Sequence, residues 1–418
     1  MDPFKPVTTR PGARKAASDR AAAAARMGLA PHRGRGAASN RDGRFERFVH
    51  EAVDDGWPDM ADADMADADE ATACAVPAAG MAGDDGAGPG PVTARRPTEL
   101  RGVVARRALA RNDSPDIPFD ASINPYRGCE HGCIYCYARP SHAYLGLSPG
   151  LDFETIIEVK RGLADALLAD LARPGYQPSP ITIGGNTDPY QPAEKTERLT
   201  RAVIEVLTRH RHPFTIITKS ALVLRDIDLL APAAAAGLAQ VAVSVTTLDP
   251  ALARAMEPRA ATPARRIHAI RGLAAAGIPV TVMAAPMVPG LTDHELEAIL
   301  AAAADAGAVR AGWILLRLPR EIAGLFDEWL RLERPDRAER VLARIRATRG
   351  GALYDSGFGR RMTGTGTEAV LIADRFRLAC ARLGLNRTSW RLTSALFTPP
   401  VRATAAERAG QMDLFGRG

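Results

Sequence analysis

Cysteine is scarce in this chain, five residues in 418. So small and odd a set cannot close a disulfide framework. It suits a reducing compartment, where clustered thiols hold metal more often than they form bridges. Lysine is equally scarce, five residues against 49 arginines, and aromatics make up only 5% of the chain. No apolar run reaches the 18 residues a membrane-spanning helix needs. The N-terminus lacks the charged, apolar and small-residue succession of a secretory leader. These absences set the expectation of a cytoplasmic protein with no membrane segment. The net charge of +6 permits an anionic partner without naming one, so charge is weighed by region.

Large apolar residues are thin over residues 1–100. Met1–His50 carries eleven Lys and Arg against four acids, whereas Glu51–Gly90 carries eleven acids and no Lys or Arg. The repeats "DMADADMADADE" and "AAGMAGDDGAGPGP" offer too little to bury against the entropy of ordering them, so residues 1–100 are expected as a disordered low-complexity tail. Cys74 falls in this tail as a bystander.

From residue 101 the texture changes. "PITIGG", "FTIITKS", "QVAVSVTT", "PVTVMAAPM" and "GWILLRLP" are short, β-branched, nearly continuous apolar runs, the pattern of strands covered on both faces. Amphipathic stretches of helical length separate them: Phe153–Ala172, Glu194–Arg209, Arg225–Ala236, Pro263–Ala276 and Asp293–Ala306. Gly237, Gly277 and Gly307 read as helix stops. Alternation at this spacing implies parallel βα units. With a further strand at Ala121–Asn124, the expectation is an α/β fold, a partial (βα)6 TIM-like barrel over residues 101–320. Residues 321–405 read as a basic, mainly helical extension, with Arg360–Arg402 holding eight arginines against two acids. A flexible tail follows at 406–418.

Three of the five cysteines lie within eight positions, in "RGCEHGCIYCYARP". The spacing is Cys129-x3-Cys133-x2-Cys136, with Tyr135 before the last. Thiolates this close, on a loop freed by Gly128 and Gly132, can each reach a different iron of a 4Fe–4S cube and leave the fourth open to a small molecule. Structural zinc is the rival, with His131 or His142 completing a Cys3His set. A redox pair at 133–136 lacks thioredoxin-like surroundings.

Cys129-x3-Cys133-x-Tyr135-Cys136, in the loop after a first strand, resembles the signature of the radical S-adenosylmethionine (radical SAM) superfamily. The strings "NPYRGCEHGCIYCYAR" and "GGNTDPYQPAE" resemble more narrowly the group related to spore photoproduct lyase. The resemblance spans residues 122–320. It implies a 4Fe–4S cluster on Cys129, Cys133 and Cys136 and S-adenosylmethionine chelated at the open iron. One electron from a flavodoxin- or ferredoxin-like donor then yields a 5′-deoxyadenosyl radical that abstracts hydrogen from substrate. It also implies cofactor contacts from the glycine pair Gly184-Gly185 beside the methionine amino group. Asn186 stands where many members carry an acid, leaving Asn186, Thr187 or Asp188 as the polar partner, and Ser244 lies where the family often contacts ribose or carboxylate. A plain turn and an internally satisfied hydroxyl are the structural alternatives for these positions.

Other residues read by type alone. Lys219 ends a strand and can pair with a carboxylate or phosphate. Pro286, Pro289 and Gly290 form a stiff bend over the barrel mouth. Met283 and Met287 read as core packing, and Arg266 and Arg271 as solvent-facing. A DNA-linked substrate is suggested by the basic C-terminal region, with Trp390 as a stacking residue. It is also suggested by Gln411-Met412-Asp413-Leu414-Phe415, which resembles the peptide that docks bacterial repair proteins to the sliding clamp. Against thymine-dimer repair itself, no cysteine lies between Cys136 and Cys380 to return a hydrogen, and Tyr190 or Tyr354 are substitutes of last resort. The competing class is a non-catalytic, iron–sulfur or zinc-bearing module associated with DNA.

Overall fold

The computed structural model describes residues 22–24, 26–29, 32–45, 96–387 and 391–401. Cys74, Trp390 and the Gln411–Phe415 peptide lie outside the described residues. Among the described residues ten strands form two sheets: β1 (Glu99–Val104), β2 (Ala110–Arg111), β3 (Ala121–Ile123), β4 (Tyr126–Arg127), β5 (Ile156–Arg161), β6 (Ile181–Ile183), β7 (Phe214–Thr218), β8 (Ala239–Ser244), β9 (Val280–Met287) and β10 (Arg310–Leu315). The larger sheet runs β10-β9-β8-β7-β6-β3-β2. Its six members from β3 to β10 are parallel, and only the two-residue β2 is antiparallel.

The six parallel strands are those the apolar runs predict, with trimmed ends. Ile123, Ile181, Ile183, Phe214, Ile216, Val241, Val243 and Val282 are fully buried. Burying each side chain of this size removes roughly 1.5–3 kcal/mol of apolar exposure, and the helices between strands supply the covering face. Gly237, Gly277 and Gly307 terminate those helices at positive φ, where a side chain would be strained. The sheet does not close on itself. The loop 357–364 ties its two ends instead: Leu315 N donates to Met362 O at 2.8 Å, while Arg361 Nε pairs with Asp116 Oδ2 at 2.6 Å in the turn between β2 and β3. Beyond β10 come the helices Ile322–Glu333, Ala338–Ala347 and Gly366–Leu383.

Three expectations fail. Phe153–Ala172 is not one helix: β5 occupies Ile156–Arg161 before a helix at Leu163–Leu171. Ile157 and Val159 alternate inward while β1 pairs parallel on one side of β5 and β4 antiparallel on the other. The period-2 signal was hidden inside a longer amphipathic run. Arg266 is not solvent-facing but 1% exposed, its charge paired with Glu257. Part of the expected tail is ordered. Residues 32–45 lie against the barrel, with Ala37 packed among Cys133, Ile134 and Tyr135. Among the described residues no helix is long and apolar enough to cross a membrane.

Candidate active site

The loop leaving β3 carries the three cysteines, and it is held by a buried arginine. Arg139 is fully buried. It donates through Nε to Cys133 O at 2.9 Å, through Nη1 to Pro149 O at 3.1 Å and Gly150 O at 2.8 Å, and through Nη2 to Gly132 O at 3.1 Å. Its remaining partner is Glu154, also fully buried. Five bonds to one planar fork fix the carbonyls of the cysteine turn and so the directions of its thiols. Gly128 and Gly132 sit at φ +81° and +66°, and a Cβ on Gly132 would lie 2.6 Å from Glu154 Oε2.

Glu154 also accepts Gly36 N at 2.8 Å and Ala37 N at 2.9 Å. The segment 35–45 thus straps the outer side of the cysteine loop, with Gly36 pressed so closely on Gly132 that any side chain would collide with its carbonyl. Arg35 donates to Glu154 O at 2.8 Å, Arg41 to Glu328 Oε1 at 2.7 Å and Arg44 to Glu321 Oε1 at 2.7 Å, closing the strap.

The thiols open onto a cavity to which the C-terminal end of every parallel strand of the larger sheet contributes. Its lining includes Cys129, Cys133 and Cys136 from the first loop, Gly184, Asn186, Thr187 and Asp188 after β6, and Thr218 and Lys219 after β7. Ser244 comes from β8, Met283, Ala285 and Pro286 from β9, and Leu315 and Arg317 from β10 and beyond. The sequence-read residues Cys129, Cys133, Cys136, Gly184, Asn186, Asp188 and Ser244 therefore share one cavity. Gly185 lies just behind it, its α-carbon facing Phe119 and its carbonyl accepting Tyr137 OH. Gly184 has no room for a side chain: at φ +87°, a Cβ would lie 2.5 Å from Pro189 Cδ and 2.6 Å from Ile217 O.

Asp188 is already engaged. It accepts Tyr190 N at 2.9 Å, Thr218 Oγ1 at 2.7 Å and Lys219 N at 2.7 Å, and faces His131 Nδ1 at 3.3 Å. Burial would raise its carboxyl, but the facing His131 and these donors outweigh it and hold the group down at about 2. It shapes the β6–β7 mouth as a fixed anion. Thr187 is engaged too, donating to Tyr126 O at 2.9 Å, and Asn186 N donates to Asn124 Oδ1 at 2.8 Å. Tyr135 OH bonds Glu257, which also accepts Thr246 Oγ1 at 2.7 Å and pairs with Arg266. This buried chain positions the ring beside Lys219, whose Nζ is 5.8 Å from the ring centroid.

The residues suit a cluster better than a single ion. Burial raises all three thiols above their ordinary range, with Asp188 adding at Cys129 and Glu257 at Cys133. Metal bonding is what would hold such thiols as thiolates. Among the described residues no three or more His, Cys, Asp or Glu side chains are grouped to hold one metal ion. His142, a candidate fourth zinc ligand, faces Ile156 O at 3.1 Å and Phe153 instead. Cys380 is buried in the helix Gly366–Leu383, and Tyr190 donates to Asp226 at 3.0 Å; neither lines the cavity, nor does Tyr354.

Several residues of the site escaped sequence reading or were given another role. Tyr137 and Arg317 stand together, the guanidinium 5.2 Å from the ring centroid, and Arg317 Nε is buried with no hydrogen-bond partner. Met283, read as core, faces the cavity. Asn124, immediately after β3, positions the β6 loop. Only place at a strand end marks these residues, and that signal is too common to single them out.

Comparison with known proteins gives three findings. The family model described as the Radical SAM superfamily matches residues 123–303. A Mycobacterium tuberculosis protein, Rv2578c, is 38% identical over 279 residues, 64% of this chain and 82% of that protein, and a Methanocaldococcus jannaschii protein, MJ0683, is 30% identical over 173 residues, 41% and 62% respectively. Among solved structures, spore photoproduct lyase with bound AdoMet and dinucleoside spore photoproduct is 18% identical, covering 68% of this chain and 80% of that one at a TM-score of 0.49.

Proposed function

The chain belongs to the radical SAM superfamily, and we propose that it is a hydrogen-abstracting member whose substrate is anionic and DNA-linked. When bound, the 4Fe–4S cluster and S-adenosylmethionine supply a 5′-deoxyadenosyl radical through one-electron cleavage of the sulfonium. The protein's part is to hold and shield. Cys129, Cys133 and Cys136 are assigned to the cluster, and Gly184, Asn186 and Ser244 to the cofactor's wall. Asp188 forms part of that wall as a fixed anion, and Gly185 supports it from behind. Lys219, beside the thiols, is assigned to the cofactor carboxylate.

The observation that carries the substrate class is Arg317. Arg317 lines the cavity with Nε buried and unpartnered and Nη1 donating only to Met362 Sδ at 3.5 Å, an arrangement that costs free energy until an anion accepts it. The half-exposed Tyr137 ring beside it offers a stacking face for a base. The C-terminal arginines lend less support than their number suggests. Arg361 pairs with Asp116 and Arg375 with Glu297, and Arg349 caps carbonyls of Leu316, Arg360 and Arg361. The non-catalytic alternative gives no reason for a cavity into which all six parallel strands of the larger sheet feed.

The test is anaerobic reconstitution with iron and sulfide, then dithionite and S-adenosylmethionine, with 5′-deoxyadenosine as the product. Deuterium appearing in 5′-deoxyadenosine from a deuterated DNA oligonucleotide supports the substrate class. Its absence from every DNA tested, with transfer from an uncharged metabolite instead, overturns it. Recruitment through Gln411–Phe415 is a separate element of the proposal. Replacing Leu414 and Phe415 by alanine is expected to abolish sliding-clamp affinity, and unchanged affinity removes that element.

A further inference from the structure

A second cavity of ≈ 360 Å³ lies beside the first and shares only His131 with it. Its wall comes from the loops after β6, β7 and β8: Tyr190, Pro192 and Lys195, then Ser220–Leu222 and Arg225, then Arg259–Ala261 and Arg265. Four of these are cations and none is an acid. Arg225 is paired with Glu194 and Asp226, and Arg259 with Glu130. Lys195 and Arg265 are exposed and form no ion pair among the described residues. A hollow this basic, with two uncompensated charges on its rim, attracts anions over a Debye length of about 8 Å at physiological salt.

Both walls of the hollow are bonded to the cysteine loop. Arg259 N donates to His131 O at 3.3 Å. Behind the other wall, the buried Gln191 between the lining residues Tyr190 and Pro192 accepts Glu130 N at 2.9 Å and donates to Gly128 O at 3.2 Å. The floor is His131, which stands between Cys129 and Cys133 in sequence and lines both cavities. The hollow therefore reaches the cysteine loop through His131, on a side of that loop separate from the cavity lined by Tyr137 and Arg317. An electron entering here would meet the cysteine loop at His131, from a hollow that shares no other lining residue with the cavity of the thiols.

We infer that this hollow is the docking site for the protein's electron donor, a low-potential one-electron carrier with clustered carboxylates around its redox group. This rests on the proposed enzyme activity. In the step assigned to it, the reduced carrier loses one electron and the cluster gains it; no bond forms or breaks and no proton moves. Lys195 and Arg265 guide and hold the carrier's carboxylates, and His131 closes the gap between the hollow and the thiols. Complementary charge of this kind acts chiefly on encounter rate and salt dependence.

The experiment uses the full chain with its cluster reconstituted, as wild type and as the double variant Lys195→Glu/Arg265→Glu. An acidic flavodoxin is the probe. Affinity is measured by fluorescence anisotropy at low and high salt, and 5′-deoxyadenosine formation with either reduced flavodoxin or dithionite. The expected result is an affinity loss of about tenfold or more at low salt, with a flatter salt dependence in the variant. Flavodoxin-driven cleavage is expected to fall in proportion, and dithionite-driven cleavage and iron content to stay at wild-type levels. Unchanged flavodoxin affinity overturns the assignment. So does an equal loss with dithionite, which would place the two residues in folding or cofactor binding. Lost affinity for a DNA oligonucleotide with flavodoxin binding intact also overturns it, by giving the hollow to nucleic acid. Wild-type protein that cleaves nothing with dithionite would refute the proposed activity instead, and the affinity comparison would still decide the docking site.

Discussion

Arg139→Met removes the fork that holds the cysteine turn while keeping most of the side-chain volume. In the wild type the guanidinium satisfies the carbonyls of Gly132, Cys133, Pro149 and Gly150 and faces Glu154, with both charged side chains fully buried. The variant leaves Glu154 with only the backbone donors of Gly36 and Ala37. Removing one partner of a buried pair costs about 3–5 kcal/mol, roughly 150- to 4,000-fold in the equilibrium that orders the loop. At roughly 2 °C per kcal/mol for a chain of this size, a global effect would lower the melting temperature by about 6–10 °C. If the loop opens alone, the melt moves less and iron retention falls instead. The assay is iron per chain and visible absorbance after anaerobic reconstitution and gel filtration, with thermal denaturation in parallel. Arg139→Lys, which keeps the charge but loses the planar fork, is expected to fall between. An Arg139→Met protein with full iron and an unshifted melt would refute the reasoning.

Other consequences are as direct. Gly184→Ala forces a Cβ to 2.5 Å from Pro189 and 2.6 Å from Ile217 O at φ +87°, and is expected to cost about 2–4 kcal/mol in urea denaturation; a cost below 1 kcal/mol would contradict the packing. Gly36→Val is expected to lift the strap from Gly132, exposing residues 35–45 to limited proteolysis while the barrel stays intact; wild-type protection would show that the strap tolerates the side chain. Burial, opposed by a bond to Pro213 O, lowers His212 from 6.5 to about 4. The folded state therefore favours the neutral ring: its contribution is complete above pH 6.5, is lost as pH falls toward 4, and is constant below. That loss is about 3 kcal/mol, so urea midpoints should fall across this window in wild type and less in His212→Gln, and equal slopes would refute the assignment.

The barrel was legible because its strands are covered on both faces, so that Phe214–Thr218 and Val280–Met287 read as apolar runs that no exposed strand would tolerate. The cysteine turn was legible because its three ligands are neighbours in sequence. Ile156–Arg161 was not, since its alternation is continuous with the helix after it and only pairing with β1 and β4 separates the two. Arg266 defied its charge because Glu257 and the carbonyls of Ser244 and Ala261 satisfy it inside. The strap eluded composition altogether. It is held by backbone donors on Glu154, by small residues at Gly36 and Ala37, and by arginines reaching acids nearly 300 positions away. None of these features is visible in a sequence read locally. The residues that distinguish this cavity, Lys219, Tyr137 and Arg317, are ordinary until the fold brings them to the wall of one cavity.

Electron paramagnetic resonance of the anaerobically reconstituted, dithionite-reduced protein, recorded before and after S-adenosylmethionine is added, bears most directly on the assignment of a three-thiolate cluster with one open iron. The expected result is about four irons per chain, a reduced-cluster signal that shifts when the sulfonium compound is added, and no signal from Cys133→Ala. A signal indifferent to S-adenosylmethionine, or protein that takes up a single zinc and no iron–sulfur cluster, would contradict it.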